Sequence, residues 1–398
     1  MKEYISDRVM ALAESQTLAM AQKSRELKAQ GLDIIDLSLG EPDFYTPSDI
    51  KEAAKKAIDD NYTKYPPVPG YKDLREAISR KFLEENGLRY SPEQIIVSAG
   101  GKHSLANVIL SLVNPGEEVI IPAPYWVSYY DQVVLAGGKP VVIHTSLEDD
   151  FKMSPAQLEQ AISARTRLLI FNSPSNPTGM VYTPNEMEKI ARVIEKHEGL
   201  FVISDEIYEH IIFSQKHVSM ASFDFIYDRV ITVNGVSKAY AMTGWRIGYI
   251  GAPLWIAKAC NKLQSQITSG VCSIAQRAAL AALQSRGDDR EKMRLAFMRR
   301  RDLICSLLAE IKGMKVRIPQ GAFYVMPDIG YFIGKTDGKT IINNPDDLAL
   351  YLLGKARVAV VGGTAFGAPT CIRISYAASD EDIIEAVKRM KEALAELR

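Results

Sequence analysis

Val230-Ile-Thr-Val-Asn-Gly-Val-Ser-Lys238-Ala-Tyr-Ala-Met-Thr-Gly-Trp-Arg246-Ile-Gly248 is the stretch from which the rest of the chain can be read. Val230 to Val233 is a short apolar, β-branched run. It reads as a buried strand that Asn234-Gly235 ends. Lys238 therefore stands just past the carboxyl end of a strand. Arg246 follows in a segment rich in Gly and Thr. A lysine so placed becomes a Schiff-base nucleophile when its surroundings lower its pKa. An arginine nearby can hold a phosphate through paired donors.

Outward from this stretch the same rhythm recurs. Gln94 to Val97, Glu118 to Ile121, Val141 to Ile143, Leu168 to Phe171 and Leu200 to Ile203 all read as strands. Between them lie helical segments. One runs from about Lys102 to Val113. A second follows Ser154-Pro-Ala-Gln157, and a third follows Thr183-Pro-Asn-Glu186; both openings have capping-box spacing. The strands are unbroken apolar runs, which predicts an α/β fold with a mostly parallel sheet covered on both faces. Ligands in such sheets bind beyond the carboxyl ends of the strands. Gly100-Gly101, Trp126, Asn176, Asp205, Tyr208 and Lys238 all fall there.

The flanks read differently. Residues 11–30 predict a helix stopped by Gly31, and Ile34 to Leu39 a strand. Thr46-Pro47 predicts an N-cap and first helical residue, with Ile50 to Ile58 as the helix body. Tyr62 to Gly70 holds three prolines and is irregular. After Gly251 the chain reads as helical to about Ile311. Arg299-Arg-Arg301 lies on the last helix and reads as a solvated face. Residues 315–326 and 357–376 look strand-rich, around a short helix at 346–353. Ser379 caps a C-terminal helix. The expected division is a large domain at 45–290 and a smaller α+β domain built from 1–44 and 291–398.

Composition excludes several classes. Lys+Arg and Asp+Glu both number 48, so no whole-protein field favours nucleic acid or a membrane. No uncharged apolar run approaches membrane-spanning length. The four cysteines (260, 272, 305 and 371) form no C-x-x-C pair, which points to reduced thiols in a cytoplasmic protein. The five histidines form no metal-ligand motif, and no metal is expected; Glu209-His210 lacks a zincin helix's second histidine. The start, Met1 to Arg8, has no apolar signal core.

Gly235-Val-Ser-Lys238 with Gly244-Trp-Arg246-Ile-Gly248, Asn176-Pro-Thr-Gly179 and Ser204-Asp205-Glu-Ile-Tyr208 together resemble the class I aminotransferases. These are pyridoxal-phosphate (PLP) enzymes of fold type I. The resemblance runs from about residue 10 to the end. It is nearest to the aspartate/aromatic group, particularly bacterial aspartate and aspartate/prephenate aminotransferases. It implies a large domain with a sheet of seven-stranded type and a homodimer with shared active sites.

Roles carried over by this resemblance are as follows. Lys238 forms the Schiff base with PLP and acts as the base in proton transfer. Asp205 pairs with the pyridine nitrogen, so the ring can accept electrons. Asn176 and Tyr208 bond the ring's phenolic oxygen, and Trp126 stacks on the ring. Gly100, Gly101 and Lys102 offer N–H groups to the phosphate at a helix N-terminus, and Arg246 adds charge there. Tyr65 reaches the phosphate of the partner subunit. Arg373, in Cys371-Ile-Arg-Ile-Ser-Tyr376, forks onto the substrate α-carboxylate; the alternative is a sheet-edge salt bridge. Gly40 approaches the same substrate end, and Thr17 lies in a segment that closes over the site.

Two places depart from or qualify the pattern. Many relatives carry a hydroxyl residue where this chain has Gly235, and Ser237 is adjacent to Lys238. Some prephenate-accepting relatives carry an N-terminal lysine where this chain has Ala13-Glu14-Ser15. The favoured amino donor is aspartate or glutamate, with 2-oxoglutarate or oxaloacetate as acceptor. A second carboxylate needs a second cation, and Lys102 is the candidate. Aromatic amino acids, prephenate, alanine and a PLP-dependent lyase reaction stand as alternatives. A DNA-binding regulator on this fold is not expected, because there is no basic helix-turn-helix extension.

Overall fold

The alternation of apolar runs and amphipathic segments becomes a seven-stranded sheet with helices on both faces. The computed structural model describes residues 4–398. In chain order, α1 (Asp7–Met10), α2 (Gln16–Ala29) and β1 (Ile35–Asp36) precede α3 (Ser48–Asp59) and α4 (Lys72–Asn86). Next come β2 (Ile95–Ser98), α5 (Gly101–Leu112), β3 (Glu118–Ala123), α6 (Ser128–Leu135), β4 (Lys139–His144) and α7 (Pro155–Ala161). They are followed by β5 (Thr166–Asn172), α8 (Pro184–Glu195), β6 (Phe201–Asp205), β7 (Val230–Gly235) and β8 (Gly248–Gly251). Helices α9 (Leu254–Ile267), α10 (Ser273–Gln284) and α11 (Asp289–Ala309) lead to β9 (Tyr324–Val325) and α12 (Pro345–Tyr351). The chain closes with β10 (Val358–Ala359), β11 (Val361–Gly362), β12 (Ile372–Ser375) and α13 (Asp380–Ala395).

The large sheet has the order β2-β8-β7-β6-β5-β3-β4. Every pairing is parallel except those of β8, which runs antiparallel between β2 and β7. Successive residues of a strand feed opposite cores, as the two-residue period requires. Ile95, Val97, Leu169 and Phe171 pack on one face; Ile96, Leu168, Ile170 and Ile231 pack on the other. The predicted capping boxes of α7 and α8 are both formed, at Ser154 with Gln157 and Thr183 with Glu186. A further core joins Met20, Ile34 and Leu37 to residues of α11, α12 and α13, so both chain ends fold together. There β1 pairs with β10, and β11, β12 and β9 make a separate small sheet.

Several expectations need correction. Strand β8 was hidden because glycines stand at both its ends. The N-terminal helix begins at Gln16 rather than 11: the Ala13 N–H donates to Asp131 Oδ1 at 3.2 Å and ties the preceding backbone to α6. Thr46 is not the cap of α3. Its hydroxyl donates to the Ala241 carbonyl at 2.7 Å, and Pro47 stands at the cap. The strand expected over Ile34–Leu39 pairs only at Ile35–Asp36, and the region 315–326 contributes only Tyr324–Val325. The arginine run is not simply a solvated face. Arg299 is exposed, but Arg300 is buried and forks onto Asp43, with both N–O distances 2.8 Å.

Candidate active site

A cavity of about 260 Å³ opens where β5, β6 and β7 end. Lys238 reaches it from the turn after β7. Its Nζ donates to the Gly40 carbonyl at 2.6 Å. Burial pushes its pKa down to about 8, against the attraction of Glu41; Arg246 and Arg373 add to the lowering. Gly40 lines the cavity, and a Cβ there would collide with the Tyr324 hydroxyl. Gly235, the departure from the family pattern, is packed against its neighbour strand: a Cβ would lie 2.8 Å from the Ile247 carbonyl. A hydroxyl residue does not fit there.

Asp205 ends β6 and is buried. Tyr129 donates its hydroxyl to Oδ2 at 2.7 Å, and the Ile207 N–H donates to Oδ1 at 3.3 Å. Burial still outweighs these donors and raises the carboxyl pKa to about 6. Tyr208, three residues on, shares a 2.7 Å hydrogen bond with the Tyr324 hydroxyl. Asn176 accepts from Arg373 at 3.1 Å.

Arg373 comes from β12 and is only 2% exposed. It donates to Asn176 and the Ser38 carbonyl, and its guanidinium lies 4.7 Å over the Tyr324 ring. Its Nε has no hydrogen-bond partner among the described residues. It bonds neutral oxygens where the alternative expected a sheet-edge carboxylate. Burial lowers its pKa. A buried guanidinium with an unused donor, facing a cavity, fits an anionic ligand group.

At the other end, α5 begins at Gly101 with no side-chain cap among the described residues. Its first N–H groups lack intrahelical partners and favour an anion. Gly100 has φ +85°, and a Cβ on it would run into the Arg246 guanidinium. Arg246 itself sits at φ +57° and donates to the Thr243 carbonyl at 2.9 Å. Lys102 lines the cavity with its Nζ 4.9 Å from the Trp126 ring centroid. Burial, then Arg246, lowers its pKa. Trp126, Ser237 and Thr17 also line the cavity. Gly100 does not line the cavity, and its N–H already donates to the Ser98 carbonyl at 2.7 Å, so it is not free for a phosphate. Tyr65 is 98% exposed and does not line it.

Sequence reasoning missed Tyr129 and Tyr324. Tyr129 lies three residues after Trp126 and their rings meet edge-to-face at 5.5 Å, but Trp126 precedes α6, so helical spacing gives no signal for it. Tyr324 had none, because only the packing of the small sheet brings it to Tyr208 and Arg373.

The donor set has three parts: an uncapped helix start with Arg246, a buried carboxylate between β5 and β7, and a buried lysine. PLP matches it, with a phosphate, a ring nitrogen that carries a proton and an aldehyde. The residues present fit that group.

Residues 32–390 match the family model described as aminotransferase class I and II. The chain belongs to this family. Among its relatives in the class I and II aminotransferases, the aspartate/prephenate aminotransferase of Cereibacter sphaeroides is 49% identical over 98% of both chains. The bifunctional aspartate aminotransferase and glutamate/aspartate-prephenate aminotransferase of Petunia hybrida is 48% identical over 99% of this chain and 83% of that one. Aspartate aminotransferase from Rhizobium meliloti superposes with a TM-score of 0.95 at 40% identity, covering 99% of both chains. The Thermus thermophilus aspartate aminotransferase with maleate gives 0.92 at 42% identity, over 98% of this chain and 99% of that one. This chain is an aminotransferase of PLP fold type I.

Proposed function

We propose that the enzyme moves the amino group of aspartate or glutamate to 2-oxoglutarate or oxaloacetate in two half-reactions, with PLP as cofactor. The observation that carries this reading is the pairing of buried Lys238 with two separated cation sites, Arg373 and Lys102 with Arg246, on one cavity. The relatives' names support an acidic donor, and maleate in the Thermus thermophilus structure is itself a dicarboxylate.

When bound, PLP supplies an electron sink that makes the substrate Cα–H acidic. The remaining roles belong to the chain. Lys238, with its pKa brought down to about 8, has a far larger neutral fraction near neutral pH than a free lysine; that amine would attach the cofactor, and Nζ would carry the proton. The Asp205 carboxylate would hold a proton on the ring nitrogen by its charge. Tyr208 and Asn176 would hold the ring's phenolic oxygen, and Trp126 would pack against the ring. The N–H groups of Gly101 and Lys102, with Arg246 and Ser237, would hold the phosphate. Arg373 orients the substrate α-carboxylate beside Gly40, and Lys102 binds the distal carboxylate. Thr17 belongs to the segment that shields the cavity from water.

We further propose domains at 45–290 and at 1–44 with 291–398, and a homodimer in which Tyr65 serves the partner's site. No helix among the described residues is long and apolar enough to cross a membrane. The four cysteines are free, which supports work in the cytoplasm.

Two measurements test the reading. Borohydride reduction and peptide mapping should place the pyridoxyl group on Lys238; a label on another lysine rejects it. Single-turnover rates on a panel of amino acids should favour aspartate and glutamate. Lys102→Ser should remove that preference, and Arg373→Leu should cut kcat/KM at least about tenfold for every donor. Equal rates for alanine or phenylalanine reject the acidic substrate.

A further inference from the structure

Outside the cavity lining, Lys81 of α4 and Glu209 form an ion pair whose side chains are only 4% and 3% exposed. Glu209 lies one residue past Tyr208 and four past Asp205. One of its oxygens accepts from Lys81 and, at 2.7 Å, from Asn234 Nδ2. The other accepts from Asn86 Nδ2 at 2.7 Å. Asn234 in turn accepts from the Gly235 N–H at 2.7 Å, at the end of β7. Lys238 is four residues beyond Asn234. On the far side of Lys238, the Tyr240 hydroxyl accepts from Arg290 at 3.2 Å, and Arg290 pairs with Glu85 at 3.0 Å. One ionic cluster thus grips the chain on both sides of the lysine, and the same carboxylate anchors the turn that follows β6.

Stability does not account for this arrangement. Removing two charges from water costs several kcal/mol each, and apolar residues of similar volume often serve as well or better. What an apolar pair cannot supply is direction: each hydrogen bond to Glu209 fixes an angle as well as a contact. Glu209 also has carboxylate and histidine neighbours at metal-ligand distance, but the Lys81 ammonium already answers its charge.

We propose that Glu209, held by Lys81, is a positioning residue of the active site. Through Asn234 it sets the place of Lys238, in the turn after β7, against Asp205 at the end of β6 and Tyr208 in the turn that follows it. This rests on the reading of Lys238 as the cofactor lysine.

The test uses holoenzymes of wild type, Glu209→Gln, Asn234→Ala, the double variant Lys81→Met/Glu209→Leu, and Arg165→Gln. The last loosens the Arg165–Glu118 pair at the opposite end of the sheet. Three quantities are read: melting temperature, the PLP dissociation constant, and the pH midpoint of the bound cofactor's visible absorbance. Glu209→Gln and Asn234→Ala should move the midpoint by at least about half a pH unit and weaken PLP binding at least about fivefold. The double variant should keep both changes, since volume and charge balance are restored but direction is not, and should melt below wild type because Asn86 and Asn234 each lose an acceptor. Arg165→Gln should change only the melting temperature. Asn234→Ala keeps the test available if Glu209→Gln does not fold, because it leaves the ion pair in place. Variants with wild-type midpoint and affinity overturn the positioning role and leave the cofactor reading standing. A double variant that recovers all three quantities also overturns it. A wild-type protein that takes up no PLP on Lys238 overturns both.

Discussion

Asp205 shows how a single residue carries its chemistry at a cost to the fold. Its carboxyl is displaced from 3.8 to about 6, chiefly by burial. Between those values the folded chain binds more protons than the unfolded chain, so stability falls as pH rises. The penalty is absent below about pH 4 and complete above about pH 6. In cofactor-free protein, Asp205→Asn should therefore be more stable than wild type at neutral pH by on the order of 2–3 kcal/mol. That advantage should vanish below about pH 4 in denaturant melts. A difference that does not change with pH would remove burial as the cause. With PLP present the order should reverse, because the amide cannot hold the ring nitrogen's charge. Asp205 itself was legible as an acidic residue at a strand end. Its hydroxyl partner Tyr129 was not legible, because Trp126 precedes α6 and no local spacing ties Tyr129 to Asp205.

Among the elements, α11 separates two kinds of arginine within three residues. Arg300 faces inward, forks onto Asp43 and also meets Asp380 at 3.4 Å, whereas Arg299 meets Asp380 from the exposed side. Helix α11 is thereby tied to the loop that follows β1 and to the start of α13. Arg300→Ala removes a charged fork from a site with little water to replace it, and should cost about 2–3 kcal/mol in urea unfolding. Arg299→Ala should stay within about 1 kcal/mol, since solvent screens its pair. Equal losses would mean that burial does not set the difference. From sequence the run looked uniform, because the local pattern carries no information on which acidic groups lie across the interface. The same limit hid β8: two bounding glycines gave no strand signal, and its burial between β2 and β7 decides its conformation.

For the whole molecule, the balance of 48 acidic and 48 basic residues leaves specific recognition to local clusters rather than to a net field. The irregular segment at 62–70 presents Tyr65 almost fully to solvent in the single chain. If two copies share sites, mixing Tyr65→Phe with Lys238→Ala protomers should restore part of the activity that Lys238→Ala lacks. A fully active species that sediments as a monomer rejects shared sites.

The succession of apolar runs, capping boxes and strand-end residues determined by itself the parallel sheet and the edge where Asn176, Asp205, Tyr208 and Lys238 meet. These follow from local periodicity and from the rule that strand ends of a parallel sheet converge. Only the tertiary structure decided what stands opposite them. Arg373 is left with an unused donor under Tyr324, Gly40 is pressed against that same ring, and Glu209, past the end of β6, meets Asn234 of β7 and Lys81 of α4. Such contacts join residues far apart in the chain, and no periodicity encodes which distant side chain fills a given space.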